Sequence, residues 1–167
     1  MPNIEKEISD KFGGRLRVRV NGVLIKEDKI LMIRHDMGQG RSFWNVPGGG
    51  MKFGSPATAN LAREFAEETG LEIRVEKFLF TFEYLDRPLH AVELFFEVST
   101  NGQNPQLGHD PELPAGTQLI QEVKFMDLDE LQSIPNEAKH QVFWDLKSLN
   151  DVRIWKGYFN FENKCIK

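Results

Sequence analysis

The strongest constraint in this sequence is one segment in which the apolar period changes. Between Ser55-Pro56 and Gly70, Leu61 and Phe65 stand at i and i+4, whereas the segments on either side alternate or are apolar throughout. Ser suits an N-cap, Pro the first helical position, and Gly the left-handed residue that ends a helix. The spacing predicts one helix over Pro56 to Thr69, capped by Ser55. Its flanks predict strands: Leu16–Val20, then a hairpin of Val23-Leu24-Ile25 and Ile30-Leu31-Met32-Ile33 about the polar break Lys26–Lys29, then Phe43–Val46. Further strands are expected over Leu71–Tyr84, Ala91–Val98 and Ile120–Met126, with Leu94-Phe95-Phe96 buried on both faces and Asp86-Arg87-Pro88 in a turn. Residues 100–117, rich in Asn, Gly, Pro and Gln, read as a long loop. A short helix at Asp129-Glu130-Leu131, a last helix over Glu137–Leu149 and a strand-like tail from Arg153 to Phe161 complete the pattern.

A chain of 167 residues suits one domain over 1–167, and 40% apolar with 28% charged residues is the composition of a folding chain. Apolar runs reach about four residues, against the roughly 20 that span a bilayer. The N-terminus, Met1 to Glu7, is charged where a signal peptide needs an apolar stretch. The expectation is a cytoplasmic, soluble protein without a membrane partner. The single cysteine, Cys165, excludes an intrachain disulfide or a thiolate metal cage. A net charge of −4 argues against binding a long nucleic acid. Phosphate chemistry on a small ligand stays open if a divalent cation offsets the charge.

Such a cation has candidate ligands. Glu64, Glu67 and Glu68 stand at i, i+3 and i+4, on neighbouring positions of one helix face. They occupy the last turns before Gly70, the negative end of the helix dipole, where each anion is disfavoured by roughly 0.3–1 kcal/mol. Two readings are open. One is a solvated acidic face relieved by Arg63, which can reach Glu67. The other is a divalent cation, Mg²⁺ or Mn²⁺, supplying the missing charge through hard oxygen ligands. Gly48-Gly49-Gly50 precedes the helix and allows backbone to approach an ion or phosphate closely.

Gly49 followed by Arg63-Glu64-Phe65-Ala66-Glu67-Glu68-Thr69-Gly70-Leu71 resembles the signature box of the Nudix hydrolases: Gly, five residues, Glu, seven residues, Arg-Glu-apolar-any-Glu-Glu-any-Gly-apolar. A chance match at the eight positions kept is on the order of 10⁻⁸ per starting point. The box spans Gly49 to Leu71, and the order of strands extends the resemblance from about residue 16 to 132. The resemblance implies an α+β fold, an α/β/α sandwich with a mixed β-sheet flanked by helices. It also implies hydrolysis of a nucleoside diphosphate linked to another moiety (a nucleotide sugar, an ADP-ribose-like compound or a nucleoside triphosphate) by water attack on phosphorus. Mg²⁺ or Mn²⁺ would be held by Glu64, Glu67, Glu68 and Gly49, with Arg63 orienting the carboxylates and Glu64 as an alternative base. The partner would be a small nucleotide; a homodimer is left open. One position departs from the box: its first Glu falls on Ser55, which implies reduced activity or fewer bound ions and keeps open a nucleotide-binding module without turnover. A structural domain with no ligand is the third hypothesis.

Outside the box, Glu122 is the candidate for a further catalytic acid, against a surface role at a strand entrance. His109, Asp110 and Glu112 could supply a base. Arg34, Arg41 and Gly48 are candidates for substrate contact, and Tyr84 and Trp44 for stacking on a base, against core packing. Phe143 and Trp144 read as packing residues, and Asp127 and Asp129 as helix-start acids.

Overall fold

The computed structural model describes residues 3–111, 113 and 118–160; Glu112, Phe161 and Cys165 lie outside them. In chain order the elements are α1 (Ile4–Phe12), β1 (Leu16–Val23), β2 (Ile25–Lys26), β3 (Lys29–Gly38), β4 (Arg41–Asn45), β5 (Gly48–Gly50) and α2 (Ala57–Thr69). They continue with β6 (Ile73–Asp86), β7 (Leu89–Thr100), β8 (Ile120–Met126), α3 (Leu128–Ser133), α4 (Asp151–Ile154) and β9 (Tyr158–Asn160). The larger sheet has the order β5-β1-β7-β6-β9 and is mixed: β1 runs parallel to β7 and β6 parallel to β9, while the other pairs are antiparallel. In the second sheet β3 pairs antiparallel with β2, β4 and β8. Glu27 and Asp28 both have positive φ, the geometry of the two-residue turn that matches strand twist, and so close the β2–β3 hairpin. No helix among the described residues is long and apolar enough to cross a membrane.

Helix α2 fastens to the larger sheet through the two residues that announced it. Leu61 and Phe65 are fully buried against Val20, Leu24, Leu31, Leu71 and Val98. Gly22 makes this possible, since a Cβ there would stand 2.3 Å from the Phe65 ring. A second core gathers Phe80, Phe82, Phe95 and Phe143 with Trp44 and Met32. Phe95 belongs to this core, while its neighbours Leu94 and Phe96 pack against the first, as expected of a strand covered on both faces.

Two expectations are corrected and one helix is added. Ser55 does not cap α2: Pro56 holds the N-cap position without a side-chain bond, and Asn60 ties the entrance instead. The Asn60 side chain donates to the Ser55 and Pro56 carbonyls at 2.9 Å and accepts from Lys52 N–H at 2.9 Å. The last helix over Glu137–Leu149 is replaced by two single 3₁₀ turns, Asn136–Ala138 and Gln141–Phe143. Lys139 and His140 between them are extended: His140 N–H donates to the Trp44 carbonyl at 2.9 Å, and the buried Lys139 ammonium donates to the carbonyls of Leu131 and Ile134. Those tertiary bonds outweigh helical propensity. Finally α1 was not anticipated, although Asn3 caps it by accepting from Lys6 N–H at 3.1 Å. Asp127 and Glu130 form a capping box at α3, so the helix-start reading of the local acids holds.

Candidate active site

The site is built where β5 meets α2. Strand β5 pairs with Arg19–Asn21 so closely that a Cβ on Gly48 would fall 2.1 Å from the Val20 carbonyl. At Gly49 a Cβ would stand 2.3 Å from the Glu64 carboxyl carbon, so the Glu64 carboxylate lies directly on glycine backbone. Glu68, only 6% exposed, accepts from Gly48 N–H at 2.9 Å. Arg63 forks between the other two carboxylates, donating to Glu64 at 2.8 Å and to Glu67 at 3.0 Å. Burial raises the Glu64 carboxyl above its usual range despite Arg63. Glu68 is pushed well above it, by burial first and then by the neighbouring Glu64 charge.

The long loop explains how acids are tolerated at the end of a helix. Gln106, Gly108 and His109 N–H groups donate to the carbonyls of Thr69, Glu68 and Glu67 at 2.8, 2.9 and 3.1 Å. They satisfy the carbonyls a helix leaves open at its C-terminus. The approach is closest at Gly108, where a Cβ would be 1.8 Å from the Glu67 carbonyl oxygen. The loop also brings Asp110 to the site, 3.8 Å from Lys11 of α1.

These groups line a cavity of about 720 Å³. The lining includes the acids Glu64, Glu67, Glu68 and Asp110, the arginines Arg17 and Arg19, which alternate along β1, and Arg15 just before it, while Phe12, Phe43 and Tyr84 add aromatic surface. Buried Glu93 lies in the lining with His140, whose Nε2 stands 2.5 Å from it. Val142 N–H donates to His140 Nδ1 at 3.2 Å, so Nε2 carries the proton and donates to Glu93. Burial works to raise the Glu93 carboxyl, but His140, Arg19 and Asn21 outweigh it and hold it below its usual value. Burial, with Arg19 nearby, brings His35 down to about 4, so this lining residue is neutral at physiological pH.

Of the residues singled out in the sequence, Gly48, Gly49, Arg63, Glu64, Glu67, Glu68, Asp110 and Tyr84 come together in this lining. Arg34, Arg41 and Glu122 do not. Cross-strand register sets Arg34 against Glu122, 3.1 Å apart, and Arg41 pairs with Glu5 of α1, so each arginine is matched to an acid outside the cavity. Trp44 is a core residue, as is Phe143, and Trp144 Nε1 donates to the Lys139 carbonyl. Sequence reasoning missed Arg17, Arg19, Glu93 and His140. The alternation Leu16-Arg17-Val18-Arg19 did place both arginines on one strand face, and Glu93 stood out as an acid within the apolar run Ala91–Phe96.

The donors suit a hard divalent cation: carboxylate oxygens, two of them desolvated and crowded, beside glycine backbone. Among the described residues no group of three or more His, Cys, Asp or Glu stands gathered to hold an ion. Arg63 spans Glu64 and Glu67, and Gly48 holds Glu68, so these bonds are what a cation has to replace.

A family model for the NUDIX domain matches residues 15–146. The chain belongs to the NUDIX family, and it is a hydrolase acting on phosphoanhydride bonds. It is similar to an ADP-ribose pyrophosphatase of Methanocaldococcus jannaschii, 27% identical over 142 residues that make up 84% of this chain and 75% of that protein. Its fold resembles that of a NUDIX hydrolase from Nitrosomonas europaea, with TM-score 0.61 at 19% identity over 71% of this chain and 77% of the other. It also resembles that of an ADP-ribose pyrophosphatase from Streptococcus suis, with TM-score 0.56 at 16% identity over 85% of this chain and 98% of the other.

Proposed function

We propose that this chain is a divalent-cation-dependent pyrophosphohydrolase of ADP-ribose or a closely related nucleoside diphosphate derivative, acting in the cytoplasm as one domain. The observation that carries the reading is one cavity lined by the desolvated Glu64 and Glu68 together with arginines of β1. The relatives described as ADP-ribose pyrophosphatases favour ADP-ribose as the first substrate to try.

Glu64, Glu67, Glu68 and the Gly49 carbonyl would hold Mg²⁺ or Mn²⁺, which supplies positive charge to the pyrophosphate oxygens and acidifies a water. Water adds across one P–O–P bridge. Its oxygen forms the new bond to phosphorus, the bridging oxygen leaves with the other phosphate, and the proton passes to a carboxylate or to solvent. With ADP-ribose the products are AMP and ribose 5-phosphate. Arg63 fixes the orientation of Glu64, which would serve as the base in place of a metal ligand in the alternative arrangement.

The test is chromatographic detection of AMP from ADP-ribose with Mg²⁺ or Mn²⁺. Glu68→Gln keeps an oxygen for Gly48 N–H, so it folds, and turnover falls by at least about 100-fold. Equal rates in variant and parent refute the site. The second reading, binding without turnover, rests on Ser55, which lines the cavity where the box has Glu; calorimetric binding of ADP-ribose with no AMP released favours it.

A further inference from the structure

Arg17 and Arg19 share one face of β1, Arg15 stands just before the strand, and all three line the cavity, yet their positive charges are met differently. Arg15 Nη2 donates to the Lys11 carbonyl at 2.6 Å. Arg19 Nε lies 3.5 Å from Glu93. Arg17, half-buried between them in sequence, makes no side-chain hydrogen bond and no ion pair within 4 Å among the described residues. Its guanidinium carbon stands 4.3 Å from the centroid of the Phe12 ring. The ring attracts the cation but accepts none of its N–H groups in a conventional hydrogen bond, so the donors remain available to a ligand in the cavity.

The position of this unmatched cation is specific. Arg17 Nη2 comes within 3.4 Å of where a Cβ of Gly50 would be, so it overhangs the glycine strand that carries the Glu64 contact. Burial, then Arg19 and Arg15, pull the Arg17 guanidinium down to about 10, while Glu93 and then Glu64 act in the opposite sense from beyond ion-pair distance. The cavity thus holds an acidic wall short of positive charge and, within reach of the same ligand, a fork of donors short of an anion. Planar forked donors match phosphate oxygens two at a time.

We propose that Arg17, seated on Phe12, is the receptor for a second phosphoryl group of the substrate, the one farther from the carboxylate wall. It thereby selects ligands with two linked phosphates over phosphomonoesters. The proposal rests on the hydrolase reading for its substrate, but the receptor acts without turnover and is tested separately. Arg17→Gln removes the charge and keeps polarity; Arg17→Lys keeps the charge and removes the fork.

Calorimetry with inorganic pyrophosphate, with Mg²⁺ and with EDTA, is expected to show binding to the parent that weakens about tenfold or more in Arg17→Gln and less in Arg17→Lys. AMP binding is expected to change less than pyrophosphate binding. In steady state, Arg17→Gln raises KM for ADP-ribose about tenfold while kcat moves less, the opposite split to Glu68→Gln. Parental pyrophosphate affinity and KM in Arg17→Gln overturn the receptor and leave the hydrolase standing. A parent that releases no AMP yet binds pyrophosphate through Arg17 overturns the hydrolase and leaves the receptor. No pyrophosphate binding by the parent under either condition overturns the receptor. Should Arg17→Gln fail to fold, Arg17→Lys alone decides through the same KM and affinity shifts.

Discussion

Glu93 is 3% exposed, and each of its carboxylate oxygens has a donor: Asn21 Nδ2 at 3.3 Å on one, His140 Nε2 on the other, with Arg19 3.5 Å from the first. Its folded value lies below the ordinary 4.5, although burial alone would raise it. The folded state therefore binds fewer protons than the unfolded chain between those two values. The stability this group contributes is complete above 4.5 and is lost as pH falls through the folded value. Glu93→Gln still accepts from His140 but loses the charge facing Arg19. The parent is expected to exceed it by on the order of 1–3 kcal/mol at neutral pH, with the gap closing on acidification, as read by paired melting curves. A gap constant from pH 7 to pH 3 would show that Glu93 is not held charged. At this scale the three helix glutamates were legible because their spacing alone puts them on one face. The ion-pairing of Arg34 and Arg41 was not, because their partners Glu122 and Glu5 lie 88 and 36 residues away.

Helix α2 shows what an element owes to its neighbours. Its length and buried face follow from Leu61, Phe65 and Gly70, and all three take the places the sequence assigned, with Gly70 at φ 68°. Its ends depend on other segments: Asn60 stitches the entrance, and the loop through Gln106–His109 covers the exit. Gly108→Ala places a methyl against the Glu67 carbonyl and must push the loop off the helix. The expected cost is about 1–3 kcal/mol, with faster hydrogen exchange at the Gly108 and His109 amides and reduced turnover as Asp110 moves. Unchanged exchange at those amides would show that the loop does not depend on this contact. The misread last helix teaches the same point: Lys139 and His140 are extended because Trp44 and the α3 carbonyls offer them backbone and ammonium partners.

Across the whole molecule, the packing of α2 and β1 brings desolvated carboxylates and arginines into one cavity. A divalent cation held as proposed would relieve the crowding of Glu64 and Glu68 and stabilise the folded chain by mass action. At 100 times Kd the gain is about 2.7 kcal/mol, or roughly 5–10 °C in Tm for a chain of this size. Glu68→Gln is expected to lose most of that shift, and scans with Mg²⁺ against EDTA read it. A Tm indifferent to Mg²⁺ and Mn²⁺ in the parent would remove the cation from the site. By itself the sequence determined what short-range geometry can specify: the alternation of β1, the period and buried face of α2, three glutamates on that helix, and glycines where backbone and carboxylate must touch. The tertiary structure decided which charges meet. The parallel register of β1 and β7 sets Arg19 beside Glu93, a loop 47 residues further on adds His140, and α1 supplies the ring beneath Arg17. No local spacing encodes these pairings, because strand register is selected by the burial of whole faces and not by the residues that end up across from one another.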